Sequence, residues 1–547
     1  MRGNFDNTLK LVKLILRRER IISAIWIIVL VLFSMAIAPA MEGMFSEPGA
    51  RTQFAESFDN PIMVAMMGPV YGADNYTAGV MYAGTMLLWV IITVAVMNIF
   101  LVVRHTRADE EYGRVEVIRS LPTGRLSILN ATVICAAIIN AVLAILLGLV
   151  LTAINVEGMN FASSMLYGFI VGASGIVFAS IAALFSQLSS NKSGATGLSL
   201  LAMAVFYMVR AAGDMQGSDF LSCISPLGLA QRSQVFVVNY IWPVFILLLE
   251  AIIIATIAYS LNSIRDMNQG FISARPGRSS ASKKLLSPFG LSHRLLRNTL
   301  VIWIIVMYVL GASYGSVIAD IPSFVGESPE YLQVIGIPEE IVNTMTEADK
   351  ASIIIDYFGV FVVTMMTLVC FVPVIIVSLK LRSEEREGRT EQIFASAVSR
   401  MKYLASYLIL AFATSILTPL AAAIGLYSAT AMIENSSTTL GGLIQAFMVY
   451  LPAILVIIGI AVFISGSLPK ATGIVWGCYG FVFVVSFLGG MPGLLPEWVQ
   501  NISPMKHIPK LPLDDMTYTP LIMLTVIAVI LSAAGLIFFR NRDSVTA

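Results

Sequence analysis

Charged side chains are scarce in this sequence of 547 residues: only 12% are Asp, Glu, Lys or Arg, whereas 57% are hydrophobic. Soluble globular domains carry about 25% charged residues, because their surfaces need that polar fraction. The 34 basic and 33 acidic residues nearly cancel, which argues against a nucleic-acid partner. The high apolar content excludes a disordered chain. These proportions indicate a protein that spans a membrane many times.

Cysteine and histidine are also rare, with 4 and 3 residues respectively. No C-x-x-C pair occurs, and Cys135, Cys370 and Cys478 lie inside apolar runs, so neither a disulfide framework nor a metal site is expected. The phosphate-binding motif G-x-x-x-x-G-K-[ST] is missing as well. We therefore expect this chain to bind no cofactor and to hydrolyse no nucleotide itself.

Long apolar runs are what the sequence has in abundance. A helix needs about 20 predominantly apolar residues to cross the hydrocarbon core of a bilayer. Twelve such runs are found, at residues 21–40, 80–103, 128–154, 163–186, 194–213, 238–262, 299–319, 352–379, 403–432, 441–467, 471–490 and 518–539. The first contains Ala38-Pro39-Ala40, which resembles a signal-peptidase site, but its length and a counterpart near residue 302 favour a retained span.

The distribution of basic residues predicts the orientation of these spans. With the N-terminus inside, most Lys and Arg residues fall in cytoplasmic segments, as the positive-inside rule requires. The long outer loops, at 41–79 and 320–351, are instead acidic. Both termini are therefore expected in the cytoplasm.

The two halves of the sequence repeat each other. Four landmarks recur in the same order at a nearly constant offset: residues 25–29 at 302–306, 107–129 at 382–404, 195–197 at 471–473 and 224–226 at 502–504. Six spans per half is an even number, so the halves should be related by an axis along the membrane normal. The expected fold is all-α and polytopic, with twelve transmembrane helices in two tandem six-helix bundles of parallel pseudo-two-fold symmetry. The halves are residues 1–262 and 291–547, joined by a cytoplasmic linker at 263–290.

Both cytoplasmic loops between the second and third spans of a half carry the motif E-x-x-G-R-x-E. Its residues are Glu110, Gly113, Arg114 and Glu116 in the first half and Glu385, Gly388, Arg389 and Glu391 in the second. Glu and Arg at helical spacing predict a short amphipathic helix at the membrane surface. A membrane anchor requires only basic residues, whereas this motif keeps carboxylates and a glycine in register twice. The repetition favours a docking surface.

These motifs carry a resemblance to a known family. Residues 110–125 and 385–400 resemble the corresponding loops of the fused, two-half permeases of ABC-2-type exporters, particularly exporters of polyketide antibiotics and other drugs. The second copy has Ala397 where the family pattern has proline, while the first copy retains Pro122.

The resemblance implies how the chain works. Coupling helices at 107–125 and 382–400 would insert into clefts on two copies of a cytoplasmic ABC ATPase, which would bind ATP and magnesium. Basic stretches at 5–20 and 291–297 would be interfacial elbow helices. The chain would be the permease of an ATP-driven exporter of small hydrophobic or amphipathic compounds, in the lipid bilayer of a bacterial plasma membrane.

A proton-coupled secondary transporter of the major-facilitator type is the alternative. That family also has twelve spans and a charged loop with Asp and Gly-Arg, here Asp109, Gly113 and Arg114. However, its motif expects a basic residue after the Asp, where this chain has Glu110, and its first outer loop is usually short.

Two serine motifs raise a third possibility, a membrane enzyme. Gly311-Ala312-Ser313-Tyr314-Gly315 and Gly172-Ala173-Ser174-Gly175 match nucleophile motifs. A serine nucleophile needs a base at similar depth, but the histidines lie outside the apolar runs. Close helix packing is the favoured interpretation of these motifs, as it is for Gly168-x-x-x-Gly172 and Gly473-x-x-x-Gly477.

Three charged residues are candidates for a substrate pathway. Glu250 lies in the middle of a span, where a charge costs at least about 2.5–3.5 kcal/mol. Two interpretations are open. Glu250 either links helices as a protonated or hydrogen-bonded side chain (helix glue), or it faces the pathway and meets cationic substrates. Asp356 and Arg210, near the outer ends of their spans, are expected to line a wet vestibule.

Overall fold

The computed structural model describes residues 3–45, 48–56, 58, 61–267, 269–272, 280–318, 337, 341, 347–396, 398–431, 439–488 and 496–541. Most of the predicted outer loop at 320–351, residues 273–279 of the predicted linker, and Ala397 lie outside these residues. Within the described ranges the regular structure is helical, apart from a single bridge between Ser189 and Ile272.

The helices fall into two compact units, Met1–Gly277 and Arg278–Ala547. The helices of the first unit are α1 (Thr8–Met44), α2 (Pro48–Glu56), α3 (Pro61–Met67), α4 (Ala78–Val103), α5 (Arg114–Ser120), α6 (Ser127–Ala153), α7 (Phe161–Leu188), α8 (Lys192–Met215), α9 (Asp219–Ile224), α10 (Pro226–Gln231) and α11 (Trp242–Ile264). The helices of the second unit are α12 (Pro288–Val317), α13 (Glu347–Arg386), α14 (Arg389–Phe394), α15 (Arg400–Thr430), α16 (Leu440–Met448), α17 (Leu451–Ser467), α18 (Gly473–Leu488), α19 (Glu497–Ile502) and α20 (Tyr518–Asn541).

Eleven helical segments of the described chain are long and apolar enough to cross a membrane, so the protein is a multi-pass membrane protein. One of them, at 440–467, contains both α16 and α17. The predicted run at 471–490 forms α18, whose 16 residues extend only about 24 Å against a hydrocarbon core of about 30 Å.

The predicted elbow helices are not separate elements. Residues 8–20 of the first predicted elbow belong to α1, which residues 5–7 precede, and the stretch at 291–297 belongs to α12. Neither Gly nor Pro interrupts the sequence from Thr8 to Ala38, so nothing breaks the helix between the basic segment and the apolar span.

Small residues let helices approach closely in the first unit. α7 is its most deeply buried candidate span and packs against α4, α6 and α11. A methyl group on Gly168 would overlap the carbonyl oxygen of Ala144, and one on Gly172 would lie 3.0 Å from the Ala144 Cβ atom. The packing role predicted for this glycine pair is confirmed.

The glycines of the second unit divide into two groups. Gly311 and Gly315, which frame the predicted serine motif, lie against the backbone of Ala422 and Leu426 on α15, as expected for close packing. In contrast, a Cβ atom added to Gly473 or Gly477 would meet no atom of the described residues within 4 Å. The packing role predicted for the second pair is therefore wrong.

One buried amide pair joins α4 to α6. The side chains of Asn98 and Asn140 are inaccessible to solvent and donate to each other at 3.0 and 2.7 Å. Each also donates to the carbonyl one helical turn earlier, at Val94 and Ala136. In lipid such side-chain hydrogen bonds hold helices together where hydrophobicity cannot.

Two glycine substitutions test the contrast between the packed and the open pairs. We expect Gly168→Leu to lower the apparent melting temperature in detergent by several degrees, because overpacking costs about 1–3 kcal/mol. The matched variant Gly473→Leu should melt as the parent does, since its side chain meets open space. Equal melting temperatures for the two variants would contradict this packing.

Candidate functional site

The first motif loop, residues 107–125, begins inside a helix and turns at a glycine. α4 continues through a π-helical turn at Arg104–Ala108 and ends at Glu111. Gly113 then adopts φ 71°, which L side chains rarely tolerate, and starts α5. The amphipathic helix is therefore only Arg114–Ser120, shorter than the predicted 107–125, because the glycine breaks it from α4.

The second motif loop, residues 382–400, has the same backbone design. α13 runs to Arg386, Gly388 adopts φ 71° and ψ 3°, and α14 begins at Arg389. Gly113 has the same two angles. The amphipathic helix is again shorter than predicted, Arg389–Phe394, and the repeated glycine has a conformational explanation.

Two ion pairs recur in both loops. Arg114 donates to Asp109 at 2.8 Å, and the aligned Arg389 donates to Glu384 at 3.0 Å. These pairs close the glycine turn, because each joins the first residue of the short helix to the end of the helix before it. Asp109 and Glu384 belong to the site, although the sequence motif omitted them.

A second ion pair in each loop points toward the interior of its own unit. Arg107 donates to Glu110 at 2.8 Å, and Arg382 donates to Glu385 at 3.3 Å. The same arginines also donate to the carbonyl oxygens of Ser190 and Pro469, at 2.6 and 2.8 Å. Because these carbonyls lie in the turns that follow α7 and α17, each loop is tied to the neighbouring turn of its own unit.

The inward direction of the first glutamate changes its predicted role. Glu110 is only 7% exposed and accepts a further bond from Arg265 at 2.7 Å, just after α11. It serves the internal structure and presents little surface to a partner. Arg114, Glu116, Arg389 and Glu391 are the motif residues whose side chains are exposed.

A buried ionic network ties the first loop to α1. Arg18 donates two bonds to Asp109, at 2.6 and 3.1 Å. Glu19 accepts from Arg104 at 2.8 Å, and His105 Nε2 lies 2.7 Å from the same carboxylate. The side chains of Asp109, Glu19 and His105 are nearly inaccessible to solvent. Removal of one partner would leave a buried charge uncompensated, so the network fixes α1 against the loop.

The second loop is held differently at this point. Leu295 and Leu296 align with Arg18 and Glu19, and Leu296 lies in the apolar core of its unit. Lys380 takes the place of His105 and pairs with Glu384 at 2.9 Å. The second unit therefore replaces most of the ionic network by apolar packing.

The exposed faces of the two short helices also differ. The first loop exposes Tyr112, Val117 and Leu121, the last two being 68% and 56% exposed. The aligned residues of the second loop are Glu387, Gln392 and Ser396. One loop thus presents apolar side chains beside its arginine, and the other presents polar ones.

Among the described residues, no hydrogen bond or ion pair joins Arg210 to Glu250, the other pathway candidate of the first unit. Arg210 is fully buried: it donates to Asp214 at 3.3 Å and to the carbonyls of Ala65 and Met66, and it stacks on Tyr207. The vestibule position predicted for Arg210 is therefore wrong, because these bonds clamp α8 to α3.

Glu250 and Asp356 have different surroundings. Glu250 on α11 is half-buried, and its Oε2 atom, inaccessible to solvent, accepts no hydrogen bond from the described residues. Asp356 is exposed near the N-terminal end of α13, in the second unit. Within the described ranges, this oxygen therefore gives no support to the interpretation that Glu250 links helices by hydrogen bonds.

Comparison with known proteins identifies the family. The family model described as "Multidrug efflux system permease Rv1217c, C-terminal domain" matches residues 10–261 and 285–540. The multidrug efflux system permease protein Rv1217c of Mycobacterium tuberculosis (strain ATCC 25618 / H37Rv) is 30% identical over 547 residues, which cover 99% of this chain and 96% of that protein. The chain belongs to the Rv1217c family of multidrug efflux permeases.

Proposed function

We propose that this chain is the membrane permease subunit of an ATP-driven exporter of ABC-2 type, which moves hydrophobic or amphipathic compounds such as antibiotics. The observation that carries the proposal is the pair of motif loops, each with an exposed arginine at the start of a short helix and an internal arginine that ties the loop to its unit. A rigid loop with an exposed helix is suited to receive force from a partner.

Twelve spans in two parallel halves are part of this proposal. α18 would be the twelfth span, accommodated by local thinning of the bilayer. The sequence repeat and the two separate segments matched by the family model support the two-half arrangement. Both termini and both motif loops would then lie in the cytoplasm of a bacterial cell.

The engine of the transporter would be a separate protein. Two copies of an ABC ATPase, each binding ATP and magnesium, would dock on α5 and α14, and the permease itself would be no enzyme. Closure of the ATPases would press on the short helices. The force would reach α1 through Arg18 and Asp109, and the turns after α7 and α17 through Arg107 and Arg382. The outcome would be alternating access.

The two docking contacts would be unequal. The apolar side chains of Val117 and Leu121 become favourable when buried by a partner, whereas Gln392 and Ser396 contribute little apolar area. The first loop would therefore supply most of the binding energy. A proton-driven transporter of the major-facilitator type gains no support from these exposed helices, since it needs no docking partner.

The exposed arginines test coupling. We expect Arg114→Ala combined with Arg389→Ala to reduce ATP-driven efflux about tenfold, within the range of about 1–3 kcal/mol usual for coupling free energies. ATP hydrolysis by the copurified complex should persist, because the nucleotide sites lie in the partner. The measurement is efflux and hydrolysis in the same reconstituted vesicles. Normal efflux by this double variant would refute the coupling role.

The glycine turns test loop geometry. Gly113→Ala with Gly388→Ala should impair efflux, because a side chain at φ 71° costs about 1–2 kcal/mol and shifts the short helices. Gly359→Ala is the matched control, since its Cβ atom also meets open space and its φ is not positive. If the double variant exports as well as this control does, the glycine turns are not needed for coupling.

The unequal faces make a prediction about assembly. Val117→Asp with Leu121→Asp should greatly reduce the amount of ATPase that copurifies with the chain, because charges replace apolar contacts. Gln392→Asp with Ser396→Asp, the matched pair on the second loop, should reduce it less. Equal losses, measured by quantitative mass spectrometry of the purified complex, would show that the two contacts are equivalent.

A further inference from the structure

A large, half-open cavity lies at the surface of the second unit. Its volume is about 810 Å³, and it is bounded by α17, α18, α20 and the segment at 501–507. Cavities that hold small molecules usually measure about 300–1,000 Å³. The cavity is therefore large enough for a molecule of drug size.

The lining of this cavity has two chemically distinct parts. Most of the wall is apolar, with Ile457, Phe481 and Met523 as examples from three helices. The polar residues are Asn501, His507 and Thr519, which lie in the segment before α20 and in its first turn. Polar groups gathered at one end of an apolar wall suit an amphipathic molecule.

The hydrogen bonds of His507 define what the polar end offers. His507 Nε2 lies 2.9 Å from the carbonyl oxygen of Asn501. Because a carbonyl oxygen can only accept, Nε2 carries the proton, and Nδ1 is an acceptor in the neutral ring. Together with the Thr519 hydroxyl and the Asn501 amide, this nitrogen can bind a head group that donates a hydrogen bond.

A glycine keeps the cavity open. Gly477 belongs to its lining, and within the part of the chain that the structure describes a Cβ atom there would meet no atom within 4 Å. By the sequence repeat, Gly477 aligns with Leu201 and Ile527 with Glu250. At these two positions the second half thus has glycine in place of leucine, which leaves space, and isoleucine in place of glutamate, which removes a charge.

We propose that this cavity is a binding site for a small amphipathic molecule with a largely apolar body and a neutral, hydrogen-bond-donating head group. The apolar body packs against α17, α18 and α20, and the head group reaches Asn501, His507 and Thr519. That the occupant belongs to the exported class of compounds rests on the proposed function; binding itself does not.

Binding of a defined probe tests the proposal. The probe is tritiated N-phenyl-1-naphthylamine, a neutral aromatic molecule with one N–H donor, and binding to the full chain in lipid nanodiscs is measured by scintillation proximity. We expect saturable binding that Gly477→Phe weakens by about tenfold or more, equivalent to about 1.4 kcal/mol, because the ring fills the cavity. Gly480→Phe is the matched control on α18: it also meets open space but is not part of the lining.

The head group is tested separately. His507→Ala should weaken probe binding by about two- to tenfold, the range of one net hydrogen bond. Melting temperatures of all three variants show whether each is folded. Equal probe binding by Gly477→Phe and Gly480→Phe would overturn the proposal.

A bound lipid is the competing occupant. Native mass spectrometry counts the phospholipids that remain on the purified chain. If Gly477→Phe loses one phospholipid and leaves probe binding unchanged, the cavity is a lipid site and the proposal is wrong. Probe binding without any ATP-driven efflux would leave the cavity assignment intact and refute the proposed function instead.

Discussion

An arginine that makes two bonds organises each motif loop. Arg107 and Arg382 each donate to a carboxylate within their loop. Each also donates to a backbone carbonyl in a neighbouring turn, the one after α7 for Arg107 and the one after α17 for Arg382. These charge-assisted bonds are roughly twice as strong as neutral ones, so they hold the loop firmly against the turn. The glycine turn and the short exposed helix depend on this fixed base. In the proposed mechanism, a loop without these arginine bonds would bend when the ATPase presses on the short helix, and less force would reach the spans.

The two units use this base in different surroundings. In the first, Asp109 and Glu19 bring α1 into a buried ionic network, whereas in the second Leu296 provides apolar contact at the aligned position. The outer faces of α5 and α14 differ in the same sense, apolar in one and polar in the other. The second half has Gly477 in the lining of its cavity, where the first half has Leu201 at the aligned position. We propose that the two copies of this duplicated scaffold serve unequal functions, with the stronger docking contact in the first and a binding cavity in the second.

Much of the fold could be predicted from the sequence. Eleven of the twelve apolar runs formed helices long enough to cross a membrane, because the need to satisfy backbone polar groups in lipid leaves few alternatives. The motif glycines were also recognisable from their repetition. The directions of side chains could not be predicted. Glu110 points inward and Arg210 is fully buried, because the sequence around each residue does not reveal which neighbouring segment packs against it. The repeated motif omitted Asp109 and Glu384 because they are similar rather than identical, and Asp109 was considered only for the major-facilitator alternative. Comparison of charge in the aligned loops would have found both. The open glycines at 473 and 477 show that G-x-x-x-G permits close packing only where a partner helix faces it.

The central claim is that the motif loops transmit the work of an ATPase to the spans. The most direct test is transport by the complex purified with its partner and reconstituted into sealed vesicles, with the proton gradient collapsed by an uncoupler. We predict that efflux of an amphipathic dye then requires ATP and continues undiminished. Transport that follows an imposed proton gradient, and proceeds without ATP or any ATPase, would contradict the account.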